Sequence, residues 1–327
     1  MLRRNFVASL LTAPVALSLA EMESDKKSTF DVVIYGGTAA GTIAAIAAAG
    51  QGLKTALIEP RNHIGGMVSG GLGWTDFANK TVIGGLSREF FLRCGNHYQE
   101  PISWYFEPHV AESIYRKWLD DVKVQVFFQH RIDKVVKENN RITQLQMENG
   151  TVFSANVFMD ASYEGDILPR AGISYTWGRE GQDEYGESLA GRRFYSPKHQ
   201  FPFDLSPYDD QGNLLPLVYN GYPGQTGDID RKVQAYNFRL CLSDVKENQI
   251  PFPKPTDYNP KRYELLRRYL LESEHRKQIP SLGALLKIDR IPNGKTDINN
   301  NGPISTDYIG GSWEYPEANY QRRQEIW

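Results

Sequence analysis

The apolar positions of the chain change period several times, and each change predicts an element. Residues 31–35 read Asp-Val-Val-Ile-Tyr, a short β-rich run without alternation, which predicts a parallel strand buried on both faces. The run passes directly into Gly36-Gly37-Thr38-Ala39-Ala40-Gly41. An alanine-rich stretch over residues 42–49 predicts a helix closed by Gly50 and Gly52, and residues 54–58 predict a second strand ending at Glu59. Val110, Ile114 and Leu119 recur at helical spacing within residues 107–122. Residues 123–128 and 131–136 read as strands, and residues 142–147 and 151–153 as a hairpin turning at Glu148-Asn149-Gly150. Residues 157–162 read as a further buried strand with a small-residue end. Strands alternating with helices predict an α/β fold with a parallel sheet. From residue 174 onward Pro, Tyr and Gly become frequent and the periodicity weakens. That region reads as a second, α+β domain of strands and long loops, with residues 233–242 its clearest strand and residues 263–275 an amphipathic helix.

The first turn carries the most chemistry. Gly36 permits a tight strand-to-helix turn, and Gly41 lets the helix lie close to the strand. The helix start near Ala39 and Ala40 presents unpaired N–H groups and a partial positive charge, which suit a pyrophosphate. Glu59 follows Gly36 by 23 positions, where an acid accepts ribose hydroxyls. Strand, turn, helix, strand and terminal acid in that order predict a Rossmann-like dinucleotide site. The middle glycine of the usual fingerprint is Thr38 here. Its hydroxyl could donate to a phosphate, or the backbone approach could be looser.

The acid alone does not separate FAD from NAD, so later segments decide. Pro60 and Arg61 follow the acid and lead to Ile64-Gly65-Gly66-Met67. Asp160-Ala161-Ser162-Tyr163-Glu164-Gly165-Asp166 ends the last strand of the region. Together with Val33-Ile34-Tyr35-Gly36-Gly37-Thr38-Ala39-Ala40-Gly41, Tyr185-Gly186-Glu187-Ser188-Leu189-Ala190-Gly191, Ala235-Tyr236-Asn237-Phe238-Arg239-Leu240 and Gly294-Lys295-Thr296-Asp297-Ile298-Asn299-Asn300, these segments carry a family likeness. The sequence resembles the FAD-dependent oxidoreductases of bacterial exported proteins, within the glutathione-reductase-like group, over nearly all of the chain after residue 30. The resemblance implies FAD as cofactor. It implies that Gly65, Gly66 and Met67 continue along it, that the segment around Ile132 passes the adenine, and that Asp160, Ala161, Gly165 and Asp166 return beside the first strand. It places residues 68–106 either near the flavin ring or in a structural excursion. Family members usually run on beyond the point matching Trp327, so the chain reads as truncated at its C-terminus.

The remaining polar residues add less. Arg179 and Arg239 are candidates for holding an anionic substrate group, or are ion-paired within the protein. No histidines share metal-ligand spacing, and His63 is the only one beside the Gly-Gly pair. Asp297-Ile298-Asn299-Asn300-Asn301-Gly302 opens like a calcium loop, but Pro303 follows and Tyr308 stands at the twelfth position, so a polar loop without metal is expected. Residues 316–327 read as the beginning of a helix without a cap.

Composition narrows the classes. Lys+Arg 37 against Asp+Glu 39 gives a net charge of −2, which argues against a basic nucleic-acid scaffold. Two cysteines cannot build a disulfide framework, a four-cysteine zinc site or a cysteine-ligated cluster, and two buried free thiols are expected. No apolar run is long enough to span a bilayer. Residues 1–20 combine Arg3 and Arg4 with an uncharged stretch from Val7 to Ala20, which reads as an export signal of twin-arginine type leading to the periplasm. The domain plan is thus an export signal at 1–20, a polar linker at 21–29, an FAD-binding domain at 30–173 with an insertion at 68–106, and a substrate-side domain at 174–327. The function expected is hydride transfer from a small or carbohydrate-like substrate to FAD, with no catalytic base identified. The alternatives are a non-catalytic nucleotide-binding remnant and a carbohydrate-processing enzyme that retains a redox cofactor.

Overall fold

The computed structural model describes residues 28–193, 199–221, 224–304 and 306–327, so the leader read at residues 1–20 and the linker up to residue 27 lie outside the described residues. The chain divides into two compact units. Of the described residues, the first contains 28–65 together with 115–174, and the second contains 66–114 together with those from 175 to 327. Residues 68–106, read as an insertion in the FAD-binding domain, pack within the second unit.

The first unit opens with β1 (Ser28–Tyr35), α1 (Ala39–Gly50) and β2 (Thr55–Glu59). Helix α2 (Pro108–Asp121) begins in the second unit and ends in the first, with Pro108 at the first turn where its missing N–H costs nothing. There follow β3 (Gln125–Phe128), β4 (Ile132–Glu138), β5 (Arg141–Met147) and β6 (Val152–Asp160). These strands form one six-stranded sheet in the order β3-β2-β1-β6-β5-β4. The four strands β3, β2, β1 and β6 run parallel, while β5 pairs antiparallel with both β6 and β4. The result is the α/β, Rossmann-like architecture that the alternation of elements predicts.

Burial explains why β1 needs no polar alternation: Val33, Ile34 and Tyr35 are fully buried, as are Ala56, Leu57 and Ile58 of β2. Phe30 meets Phe127 edge-on at 6.1 Å, and Phe127 meets Phe153 at 4.8 Å, tying β1, β3 and β6 together. Helix α1 turns Gly41, Thr42, Ala45 and Ile46 inward, a stripe of small and apolar residues at helical spacing. Register aligns the carboxyl end. Tyr35 sits opposite Ile58 on one side and Asp160 on the other, so the carboxyl ends of three parallel strands are level.

One strand differs from expectation. Residues 152–160 form a single strand rather than the end of a hairpin followed by a separate buried strand. Its first half pairs with β5 and its length pairs with β1. Hydrogen bonding to β1 occupies its edge but covers neither face, and Val157 and Met159 remain 52% and 40% exposed. That part of the strand is therefore not buried on both faces.

In the second unit, a helix at Gly85–Tyr98 supports an aromatic cluster of Phe90, Phe91, Trp104 and Phe106, with Phe91 and Trp104 rings 4.5 Å apart. Strands β7 (Leu286–Ile291) and β8 (Lys295–Asn300) pair as a hairpin. The calcium-like segment at 297–302 is thus mostly strand rather than loop, because Asp297 sits opposite Asp289 in the ladder. Residues 233–242 do not form a strand. They run beside β8 through isolated bridges, Leu240 to Ile298 and Ser243 to Lys295, and the Thr296 side chain takes the Leu242 N–H that would continue a ladder. Both cysteines are free. Cys94 is buried, which pushes its thiol up to about 12, but Cys241 is exposed, contrary to the expectation of two buried thiols. Asn319 caps the helix at Tyr320–Ile326 by accepting from Arg322 N–H, a cap that the sequence reading lacked. No helix among the described residues is long and apolar enough to cross a membrane.

Candidate functional site

The level ends of β1, β2 and β6 create the candidate site, at the edge where α/β sheets hold ligands. Gly36 leaves β1 at φ +104, a conformation that disfavours any side chain. A Cβ there would also press on the Ala161–Ser162 peptide. Gly41 lies over Gly36 so closely that a Cβ would overlap the Gly36 carbonyl oxygen and meet the Ala161 side chain at 3.0 Å.

Thr38 resolves the departure from the usual fingerprint. Its hydroxyl donates to Ala161 O at 2.8 Å and accepts from Gly41 N–H at 3.1 Å. It is the N-cap of α1 and a clamp onto the end of β6. The hydroxyl proton is thereby committed within the protein, and the reading of Thr38 as a phosphate donor gives way to a capping role. Thr38→Val, which removes both bonds at a site only 6% exposed, is expected to cost about 2 kcal/mol. Thr38→Ser keeps both bonds and should cost less than half as much; equal losses for the two in urea unfolding would refute the clamp.

The amides around the turn divide in two. Gly37 N–H donates to Glu59 Oε2 at 2.7 Å, and Arg61 N–H donates to Glu59 Oε1 at 2.8 Å. Ala40 N–H, exposed at the start of α1, has no acceptor among the described residues. It is a ready donor on the positive end of a helix of 12 residues. Glu59 retains lone pairs beyond those two bonds, enough for a pair of hydroxyl donors. Burial raises its carboxyl above the usual range, while the Arg61 and Gly37 amides and the nearby Arg61 and His63 charges pull the other way. An open helix amide flanked by a partly desolvated carboxylate fits a ligand with a diphosphate and a vicinal diol.

Other predicted residues fall into place around this pair. Gly65 N–H donates to Gly37 O at 2.8 Å and lies beside Thr38. Ile64 is fully buried. Gly66 and Met67 belong to the second unit, where they open a short helix at Gly66–Ser69. The Asp160 carboxylate accepts from Ser162 N–H, Ser162 Oγ and Ile167 N–H, so it shapes the loop after β6. Gly165 has φ +68, and Asp166, 4% exposed, packs in that loop with Arg170 3.9 Å away. Ile132 is fully buried, and its N–H donates to Tyr35 Oη at 3.0 Å.

A groove of about 510 Å³ lies next to Glu59, lined by Pro60, Arg61, Asn62, Gln129, Arg131, Glu148 and Asn149. Of these the sequence reading singled out Pro60 and Arg61 and saw Glu148 and Asn149 only as turn residues. It missed Gln129 and Arg131, and it named Tyr35 and Ser162 only within longer segments, without a role. A tyrosine ending a buried apolar strand is a signal that its hydroxyl needs a partner. No sequence pattern marks residues that meet across strand ends.

The two arginines proposed for an anionic substrate group are engaged inside the second unit. Arg179 and Arg192 both pair with Asp230, which is buried. Arg239 pairs at 2.8 Å with Asp297, which is 1% exposed and also accepts from Trp74 N–H.

A family model described as FAD dependent oxidoreductase matches residues 31–327. Among solved structures, the chain is similar to L-proline dehydrogenase from P. horikoshii, with 13% identity over 47% of this chain and 59% of that one and a TM-score of 0.37. It is similar to the anhydrotetracycline hydroxylase OxyS from Streptomyces rimosus, with 13% identity over 47% and 36% of the two chains and a TM-score of 0.38. It is also similar to bacillithiol disulfide reductase from Staphylococcus aureus, with 20% identity over 48% and 44% and a TM-score of 0.31. The chain spans less than two thirds of the length of each of these proteins.

Proposed function

Because the chain belongs to the FAD-dependent oxidoreductase family, matched over residues 31–327, we propose that it oxidises a small-molecule substrate with FAD as the electron acceptor. FAD is its cofactor. When bound, FAD supplies a two-electron acceptor, the redox chemistry that no side chain of the protein can provide. The chain's own task is to hold and orient. The start of α1 at Ala39 and Ala40 receives the pyrophosphate, with Gly36, Gly37 and Gly41 giving the backbone room. The carboxylate of Glu59 accepts the ribose hydroxyls, and the groove from Pro60 to Asn62 and Gln129 to Arg131 takes the adenosine side. Ala161, Asp160, Gly165 and Asp166 act through Thr38 and the β6 loop, by fixing the turn rather than by touching the nucleotide. Residues 1–20 support a further reading, that the protein is exported with its cofactor already bound.

One observation carries this function: an exposed, unsatisfied helix amide at Ala40 on the turn whose Gly37 amide holds the half-buried Glu59 carboxylate, at the carboxyl edge of a parallel sheet. The test is the visible spectrum of the purified protein, before and after addition of FAD. Flavin absorbance that co-purifies or is taken up, and that bleaches anaerobically with a substrate, is the expected result. A colourless protein that takes up no FAD refutes the reading.

Glu59 gives a pH signature. Hydroxyl donors need its ionised form, and burial lifts its pKa above the ordinary 4.5. FAD affinity should therefore fall on acidification while exposed carboxylates are still ionised. Glu59→Gln should weaken FAD binding about 10–100-fold, the worth of hydrogen bonds to a charged group, and flatten this acid limb. An unchanged pH profile in titrations of the variant would remove Glu59 from the ribose.

A further inference from the structure

Far along the sequence from the glycine turn, the second unit carries a groove of about 510 Å³ that the cofactor does not explain. Trp177 and Trp313 line it, with Arg231, Glu317, Asn319 and Arg322 among its polar groups. Both indoles are only partly buried. Each is braced by a cation. Lys232 Nζ stands 4.4 Å from the centre of the Trp313 ring, and Tyr219 meets that ring edge-on at 4.7 Å. The Arg231 guanidinium stands 5.6 Å from the Trp177 ring and donates to Trp177 O at 3.1 Å. These contacts fix two large apolar plates at the surface instead of folding them into the core.

The polar groups around the plates have unused capacity. Neither indole N–H meets an acceptor among the described residues. Asn319 Oδ1 is used in capping, which leaves its amide protons as donors. Glu317 Oε2 accepts from Tyr175 Oη at 2.9 Å, which leaves the second oxygen as an acceptor. Among the lining side chains charge balances, Arg231 and Arg322 against Glu314 and Glu317, with Arg322 paired with Glu314 at 2.9 Å, while the Lys232 ammonium is turned against the Trp313 ring. The lining itself therefore carries no net charge.

We propose that this groove binds a pyranose ring of a neutral carbohydrate. A pyranose has an apolar C–H face that stacks on an indole and a rim of hydroxyls that both donate and accept. Flat aromatic plates lined with a carboxylate oxygen, a carboxamide N–H and two indole N–H groups match that pattern, and a lining without net charge suits a neutral sugar. The site stands whether or not flavin is bound, since none of its residues belongs to the nucleotide turn.

The test uses the full chain loaded with FAD and three probes, cellohexaose, maltohexaose and mannohexaose, titrated by calorimetry and by tryptophan fluorescence. At least one should bind and shift the emission. Trp177→Ala and Trp313→Ala should each weaken that binding by about tenfold or more, and Glu317→Gln severalfold, with the flavin spectrum unchanged. Trp313→Phe, which keeps a ring, should fall between wild type and the alanine variant and guards against misfolding. Absence of binding by all three probes at tens of millimolar overturns the proposal. So does binding that survives both tryptophan truncations, or binding of an acidic oligogalacturonate in preference to the neutral probes. Loss of FAD uptake with intact sugar binding would overturn the flavin function while leaving this site standing.

Discussion

Gly41→Ala is expected to abolish FAD binding and to destabilise the first unit, although alanine in a helix ordinarily gains about 1 kcal/mol over glycine. The sign reverses because of where the new methyl goes. It would overlap the Gly36 carbonyl oxygen and crowd the Ala161 side chain. Backbone on one side and a strand end on the other leave it no flexible neighbour to displace. Helix α1 must retreat from β1, and the Gly41 N–H bond to Thr38 Oγ1 stretches as it goes. Overpacking of this kind costs about 1–3 kcal/mol. The larger effect falls on the ligand, because the amides at the start of α1 move away from a pyrophosphate whose recognition depends on their position. Gly50→Ala is the matched control. It lies in the same helix, and a Cβ there meets nothing within 4 Å. That variant should bind FAD like wild type and unfold at equal or higher urea. Equal behaviour of the two variants would show that close packing at residue 41 does not set the turn.

Glu107→Gln is expected to cost about 3–5 kcal/mol, the usual penalty for removing one partner of a buried ion pair. Glu107 is 2% exposed. It accepts from Lys295 Nζ at 2.5 Å, from Asn293 Nδ2 at 2.7 Å and from Tyr98 Oη at 3.2 Å, and its own N–H donates to Tyr98 Oη at 2.9 Å. Burial pushes its pKa up, but the Lys295 and Asn293 hydrogen bonds outweigh burial and hold it below the ordinary 4.5. A folded pKa below the unfolded one means that the unfolded chain takes up the proton first. The stabilisation is complete above the unfolded value and disappears as pH falls through the folded one. Glutamine keeps the shape and leaves the Lys295 ammonium largely buried without its counter-charge. Urea unfolding at neutral pH should show the full loss, and the difference between wild type and variant should shrink in acid. A loss below about 1 kcal/mol at neutral pH would mean that the pair roughly cancels its own desolvation.

The parts of the molecule that sequence made legible are those governed by short-range pattern. The strand at 31–35, the alanine-rich helix and the strand ending at Glu59 follow from period and from glycine placement, and the structure has them within a few residues. The parts that were not legible depend on partners far along the chain. Residues 233–242 have strand composition, yet β8 offers them only isolated bridges, because the Thr296 hydroxyl diverts the Leu242 N–H. Arg239 and Arg179 look like ligand-binding arginines until Asp297 and Asp230 are found against them. Thr38 looked like a flaw in a glycine fingerprint because its acceptor, Ala161 O, lies more than a hundred residues away. The Glu59 side of the site was readable because one acid at the end of one strand suffices. The neighbouring groove was not, since it assembles three separate chain segments.

The parallel pairing of β1 with β6 places Val33 opposite Phe158. Ribosomes deliver about 5–20 residues each second, so β1 waits on the order of 6–25 s after its synthesis for that neighbour to emerge. During that interval a strand made of Val32, Val33 and Ile34, destined for burial, has one hydrogen-bonding edge unfilled. The nascent chain is thus a natural client for holding chaperones. Slowing translation between the two strands lengthens the hazard, and a synonymous recoding that speeds it should raise the soluble yield.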